Sequence, residues 1–391
     1  MDDIRILAPS DLDTLIAELR ERGFRVVGPT LRDETIVTGD IRSASDLPRG
    51  IGDIQEAATY RTRQRDDDAY FGFAAPAQST KPVFFPSEEV VWRGKRDHDQ
   101  GGHFTAERDT ANASPVALLG VRSCDLRAVQ IHDQVLAHRQ FKDVHYTARR
   151  DGTLVIAVAC GVPAATCFCA SMGTGPRPAA TDPQTGQPSY DLLLTEVIDG
   201  DTHHFVAEVG TDAGRDIADA VAASKGTAKD QAQAIDITNA AAASQTRAID
   251  RNTVHDVLRA SAESSRWEDV ANRCLGCTNC TMVCPTCFCT TMSDVSDLAG
   301  ENAERHRVWD SCFSANFSYI HGGPTRESLK ARYRQWITHK LSSWEDQFGM
   351  LGCVGCGRCI TWSPAGIDIT EEADALGRMS GLGSTASAAS T

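Results

Sequence analysis

The run Cys274-Leu275-Gly276-Cys277-Thr278-Asn279-Cys280-Thr281-Met282-Val283-Cys284-Pro285 constrains this chain more than any other stretch. Its spacing, C-x2-C-x2-C-x3-C-P, suits an iron–sulfur cubane: two-residue turns let three thiolates curl round one cluster while backbone N–H groups point inward at the sulfurs. The fourth cysteine points away, onto a helix start. In two-cluster arrangements it ligates the other cluster, so a partner run is expected elsewhere. Cys353-x2-Cys356-x2-Cys359 supplies one, with Ser363-Pro364 where the pattern calls for Cys-Pro. Gly352, Gly355 and Gly357 interleave with these thiols, which suits backbone that must pass close to a cluster.

With this exchange of fourth ligands, one cluster takes Cys353, Cys356, Cys359 and Cys284 and has four thiolates. The other takes Cys274, Cys277 and Cys280, with Ser363 at the fourth corner. A serine oxygen is harder than a thiolate and has a far higher pKa, so it binds iron less readily. Three outcomes are open there: a cubane with an alkoxide or water corner, a [3Fe-4S] cluster, or rescue by Cys287, Cys289 or Cys312. Structural zinc would use four ligands, fewer thiols than the two runs together offer. A zinc-holding redox sensor is the alternative from another class. Nothing in the chain points to an oxidising compartment, which disfavours disulfides.

The 391 residues suffice for two or three cored domains, and the net charge of −14 disfavours a nucleic-acid partner. The N-terminus shows no basic segment followed by an apolar run, so no secretory signal is expected. No apolar stretch approaches the length of a membrane span. Fourteen cysteines then point to metal or redox chemistry in a reducing cytoplasm.

Along the chain, Leu12, Leu15, Ile16 and Leu19 predict an amphipathic helix behind an N-cap at Ser10. Strands are expected at 24–27, 34–37, 83–85 and 89–92, a solvated charge run at 61–68, and an exposed polar insertion at 97–110. The runs 116–121 and 154–159 read as buried parallel strands joined by a helix over 126–136. Each strand delivers a cysteine, Cys124 and Cys160, where open α/β sheets place ligand groups. The following loop adds Cys167 and Cys169. For this quartet two readings stand, a third metal centre and partly buried structural thiols. The loop also has an echo: Thr166-Cys167-Phe168-Cys169 and Met172 match Thr286-Cys287-Phe288-Cys289 and Met292. The basic stretch Arg326, Lys330, Arg332, Arg334, His339 and Lys340 reads as a solvated helical face.

The fold class expected is α+β: an N-terminal α/β domain over 1–212, an Ala-rich linker over 213–250, a cluster domain over 251–378 with helical patterns between its two motifs, and a disordered tail over 379–391.

Taken together, the chain resembles the beta, iron–sulfur subunits of cytoplasmic sulfhydrogenases and bidirectional nickel–iron hydrogenases, with the corresponding iron–sulfur subunits of anaerobic sulfite reductases close by. The resemblance rests on Lys81-Pro82-Val83-Phe84-Phe85-Pro86, Gly120-Val121-Arg122-Ser123-Cys124-Asp125, both echo loops, Trp309-Asp310-Ser311-Cys312 and Gly355-Cys356-Gly357-Arg358-Cys359-Ile360-Thr361-Trp362. It implies an α-helical ferredoxin-type C-terminal domain with two [4Fe-4S] clusters. It also implies an electron-transfer role between a flavin-containing NAD(P)H subunit and hydrogenase subunits bearing the catalytic metal, without bond chemistry in this chain. Delivery of electrons to a sulfite or sulfur reductase is the runner-up within the same class. Ser363 departs from the family's cysteine.

Overall fold

Continuous apolar runs in the first half of the chain become strands buried on both faces. The computed structural model describes residues 3–99, 101–107 and 114–382. In chain order its strands are β1 (Ile4–Leu7), β2 (Arg25–Arg32), β3 (Thr35–Asp40), β4 (Ile51–Glu56), β5 (Thr59–Gln64), β6 (Glu88–Asp97), β7 (His103–Glu107), β8 (Val116–Val121), β9 (Thr153–Val158), β10 (Leu192–Asp199), β11 (Thr202–Val209), β12 (Ser224–Lys225), β13 (Thr290–Ser296) and β14 (Asn302–Trp309), with β4 and β5 forming a hairpin of their own and one further short pair, Tyr319–Ile320 with Gly323–Pro324. An eight-stranded sheet runs β12-β1-β11-β10-β9-β8-β2-β3. Its centre is parallel, with Val27 opposite Leu118, Leu118 opposite Val155, and Ile156 opposite Leu192. Alternate residues of β9 then serve opposite cores. Ile156 and Val158 meet Leu12, Leu15 and Ile16 of the helix Asp11–Glu21 on one face. Val155 and Ala157 meet Leu126 and Val129 of the helix Ser123–Leu136 on the other. Two covered faces account for the unbroken hydrophobic runs.

Several expectations need correction. Ser10 makes no side-chain cap; the Asp11 carboxylate accepts the Ala8 N–H at 2.7 Å instead. Residues 83–85 are not a strand but the end of a short helix, Lys81–Phe84, because Pro82 in its first turn has a helix-ready φ and no N–H to lose. The Ala-rich segment carries the helix Asp212–Ala220, the edge strand β12 and the helix Ala228–Ala243. Ala234 of the last helix is buried against Val197 and Val206 of the sheet. Small side chains let that helix approach closely without large apolar residues. Of the expected insertion over 97–110, residues 103–107 form β7, while 100 and 108–110 lie outside the described residues, as does 383–391 of the tail.

The stretch between the cysteine runs is not all helical. β13 and β14 form a hairpin whose second strand pairs with β6, Arg305 opposite Trp92, so the second sheet is ordered β13-β14-β6-β7. The side chains of β13 are almost all exposed, so its sequence carries no apolar period, and the pairing with β6 is non-local. The rest is helical: Val254–Ala260, Arg266–Arg273, Leu329–Thr338 and Ile369–Ser380 surround Trp267, Tyr333, Trp336, Leu341 and Leu376. The whole is therefore a mixed α/β chain in which the halves share a sheet.

Candidate iron–sulfur site

The two cysteine runs meet. The short helix Asn279–Met282 packs against its counterpart Arg358–Thr361. Asn279 Nδ2 donates to the Trp362 carbonyl at 3.2 Å, and Thr286 Oγ1 to the Gly352 carbonyl at 2.8 Å.

One cavity is lined by Cys274, Cys277, Cys280, Cys359 and Ser363, with Tyr333 and Trp336 among its walls. Ser363 is buried, and its Oγ accepts the Ile367 N–H at 3.1 Å. Among the described residues, Cys287, Cys289 and Cys312 do not line this cavity, although Cys312 is an electrostatic neighbour of Cys280. Among the described residues, the Tyr333 hydroxyl and the Trp336 indole N–H are buried without a hydrogen-bond partner. Buried donors of this kind are costly unless something accepts from them. Bridging sulfides and thiolates of a cluster would accept, so the donor set fits an iron–sulfur group. Cys277 and Leu275 are exposed, which puts this site at the surface.

The second site is deeper. Cys284 from the first run is an electrostatic neighbour of Cys353, Cys356 and Cys359 from the second. Burial pushes Cys353 up to about 12 and raises Cys356 and Cys359 as well. Cys284 goes the other way: a hydrogen bond from Cys287 outweighs burial, and with the Lys340 ammonium it holds Cys284 well below the usual thiol range. Lys340 Nζ lies 3.2 Å from Cys284 Sγ and 2.8 Å from Thr286 Oγ1. Burial opposes its charge, but the sulfurs of Cys284, Cys287 and Cys353 outweigh that and hold it protonated. A second buried lysine, Lys81, donates to the carbonyls of Met282, Cys284 and Cys287 at 3.4, 3.0 and 3.1 Å and sits 3.7 Å from the Trp309 ring centroid. Burial lowers its pKa. Behind them the buried His132 is driven down to about 3 by burial and Lys81, hence neutral.

The N-terminal half clamps this second site. Phe168 N–H donates to the Gly355 carbonyl at 2.9 Å, Thr174 Oγ1 to the Val354 carbonyl at 2.6 Å, and Thr166 and Thr361 hydroxyls lie 2.9 Å apart. The contact explains two glycines: Gly355 and Gly357 have φ of +65° and +75°, and a Cβ there would lie 2.7 Å from Phe168 O and 2.4 Å from Thr166 O. They admit the loop 166–169, a role that proximity to a cluster alone does not describe. The Arg358 guanidinium, 1 % exposed, makes a two-pronged pair with Asp125 at 2.7 and 2.9 Å and donates to the Pro76 carbonyl at 2.8 Å. The echo loops thus flank the second run, Thr166 from one side and Thr286 from the other.

The N-terminal thiols gather beside Cys356. Cys167 is an electrostatic neighbour of Cys160, Cys169 and Cys356, and Cys124 of Cys356 and Cys169. Burial raises all four, Cys169 to about 12. Each has local company: Cys160 Sγ donates to Val162 O at 3.4 Å, Cys167 Sγ to Cys356 O at 3.8 Å, Cys169 Sγ accepts from Gln245 at 3.2 Å, and Cys124 packs with Ala128, Ile131 and Val354. Among the described residues, no three His, Cys, Asp or Glu side chains are placed to hold a single metal ion. Cys289 and Cys312 are neighbours of each other, and burial raises Cys312 to about 12.

Sequence reasoning missed the place of the lysines and misread the basic stretch. Arg332 is buried, donating to the carbonyls of Cys312, Ser314 and Ala315, and Lys340 points inward from a π-helical turn, His339–Ser343. Such a turn inserts an extra residue and re-aims a side chain, and it leaves no mark in the apolar period. Arg334 and Lys330 do face outward, Lys330 toward Glu268 at 3.2 Å.

Residues 273–367 match a family model described as a 4Fe-4S dicluster domain. Over 341 residues, 83% of this chain and 90% of the relative, the sequence is 31% identical to sulfhydrogenase 2 subunit beta of Pyrococcus furiosus. No solved structure matches the chain. With the dicluster domain and a likeness that spans both halves, this chain belongs to the sulfhydrogenase beta-subunit family and is an iron–sulfur electron-transfer subunit.

Proposed function

We propose that the chain relays electrons through two cubane-type clusters inside a multi-subunit hydrogenase, between a flavin-containing NAD(P)H subunit and the subunits that bear the catalytic metal. One observation carries this reading: each cysteine run contributes to the other's site, Cys284 beside Cys353, Cys356 and Cys359, and Ser363 in the cavity of Cys274, Cys277 and Cys280. The clusters, when bound, supply reversible one-electron transfer. The protein holds them and sets their surroundings. Cys277 and Leu275 at the surface make the serine site the one that meets a partner, while the four-thiolate site, clamped by the N-terminal half, is the internal station. Lys340 and Lys81 place positive charge beside the internal station and favour its reduced state. The cluster at the surface has one oxygen corner and is the one able to lose an iron.

The N-terminal thiols Cys124, Cys160, Cys167 and Cys169 serve as packing and hydrogen-bonding groups in this reading, because no three of them are placed to hold one metal ion and each has a local partner. No described helix is long and apolar enough to cross a membrane.

Iron and acid-labile sulfide analysis of anaerobically purified protein tests the reading. About twelve irons per chain support three cubanes and about eight support two with structural N-terminal thiols, taking four per cubane. Zinc in place of iron, with no sulfide, overturns it.

A further inference from the structure

Beside the internal cluster site lies a cavity of about 410 Å³ that the electron-transfer reading leaves without a task. It opens at the carboxyl end of β8, against the helix Ser123–Leu136, and Cys353 forms part of its wall. Three arginines line it, Arg127, Arg177 and Arg251. Among the described residues no Asp or Glu does, in a chain whose net charge is −14.

The positive charge there is not fully matched. Arg127 reaches Gln130 at 2.9 Å and Asp182 at 3.4 Å, and Arg177 pairs through Nη2 with Glu208 at 2.7 Å. The other terminal nitrogen of Arg177, Nη1, is buried with no hydrogen-bond partner among the described residues. Arg251 is exposed, has no ion pair among the described residues, and acts on Arg127 as a like charge. Guanidinium groups offer paired donors that suit the oxygens of phosphate. The remaining wall is apolar, with Leu126, Ile131, Met350 and Leu351. Cavities of roughly 300–1,000 Å³ with apolar walls and a few fixed polar groups are the size of small-molecule sites. An inorganic ion would leave most of that wall unused.

We propose that the cavity bounded by Arg127, Arg177 and Arg251 binds a phosphate-bearing organic anion of nucleotide size, held against the wall that contains Cys353. The phosphate meets the guanidinium groups and the organic portion covers the apolar wall.

The test is anaerobic titration calorimetry on the cluster-loaded full chain with FMN, ADP and inorganic phosphate as probes. At least one nucleotide is expected to bind with one-to-one stoichiometry, more tightly than inorganic phosphate. Arg251→Glu, at an exposed position outside the core, is expected to weaken that nucleotide about tenfold or more, the scale of a lost charge-assisted contact. Arg251→Lys should recover part of the loss. Absence of binding by both nucleotides, equal affinity for inorganic phosphate, or affinity unchanged in Arg251→Glu overturns the proposal. Iron content read on the same samples separates this result from any failure to load clusters.

Discussion

The two cysteine sites are near copies in sequence and differ in nearly everything that surrounds them. The site of Cys274, Cys277, Cys280 and Ser363 is at the surface, walled by Phe313, Tyr333 and Trp336 from the C-terminal half alone. The site of Cys284, Cys353, Cys356 and Cys359 is buried, flanked by two lysines and clamped by a loop from the N-terminal half. In the proposed function, the same ligand spacing serves a station that faces a partner and a station that faces inward. What separates them is burial and neighbouring charge, the two quantities through which a protein sets a cluster's potential.

The largest effect is expected from removing a ligand at the buried site. Cys356→Ala, which leaves no ligand atom at that corner, should abolish one [4Fe-4S] signal in the reduced EPR spectrum and lower iron content by up to about four per chain. Retention of all iron would break the comparison. Next comes the clamp: Arg358→Met leaves Asp125 buried without its partner, a loss of about 3–5 kcal/mol by analogy with other buried pairs. Chemical denaturation of the loaded protein would measure it, and an unchanged midpoint would show that the N-terminal half does not hold the second run.

Ser363→Cys sharpens the comparison from the other side. It completes four thiolates at the surface site, so any three-iron EPR signal of the oxidised protein should vanish while the buried cluster's spectrum stays as it was. The smallest effect is expected at Lys340. Lys340→Met removes a cation next to Cys284 Sγ, so the buried cluster's midpoint potential should fall, on the order of 60 mV if about 1.4 kcal/mol is lost. Redox titration followed by EPR reads both clusters at once. An equal shift in both would deny the lysine its local role.

What was legible in the sequence followed from short covalent reach. Two-residue spacings bring thiols to one centre whatever surrounds them, so Cys274 to Cys284 and Cys353 to Cys359 announced themselves, as did the departure at Ser363. The doubly buried strands β8 and β9 were legible for a similar reason, since an unbroken apolar run has few other uses. The helical expectation for the stretch between the runs failed at β13 and β14, where polar, exposed side chains carry no period and the partner β6 lies some two hundred residues away in sequence.

The sequence by itself determined the ligand types, their spacing, and the need for two cysteine segments to meet. Only the tertiary structure decided that Lys81 and Lys340 turn inward, that Gly355 and Gly357 make room for the loop 166–169, and that Asp125 reaches Arg358. The physical reason is distance along the chain. A ligand run is a local pattern, whereas the burial of a charge is settled by whatever remote segment comes to lie over it, and a lysine reads the same in sequence whether it meets water or sulfur.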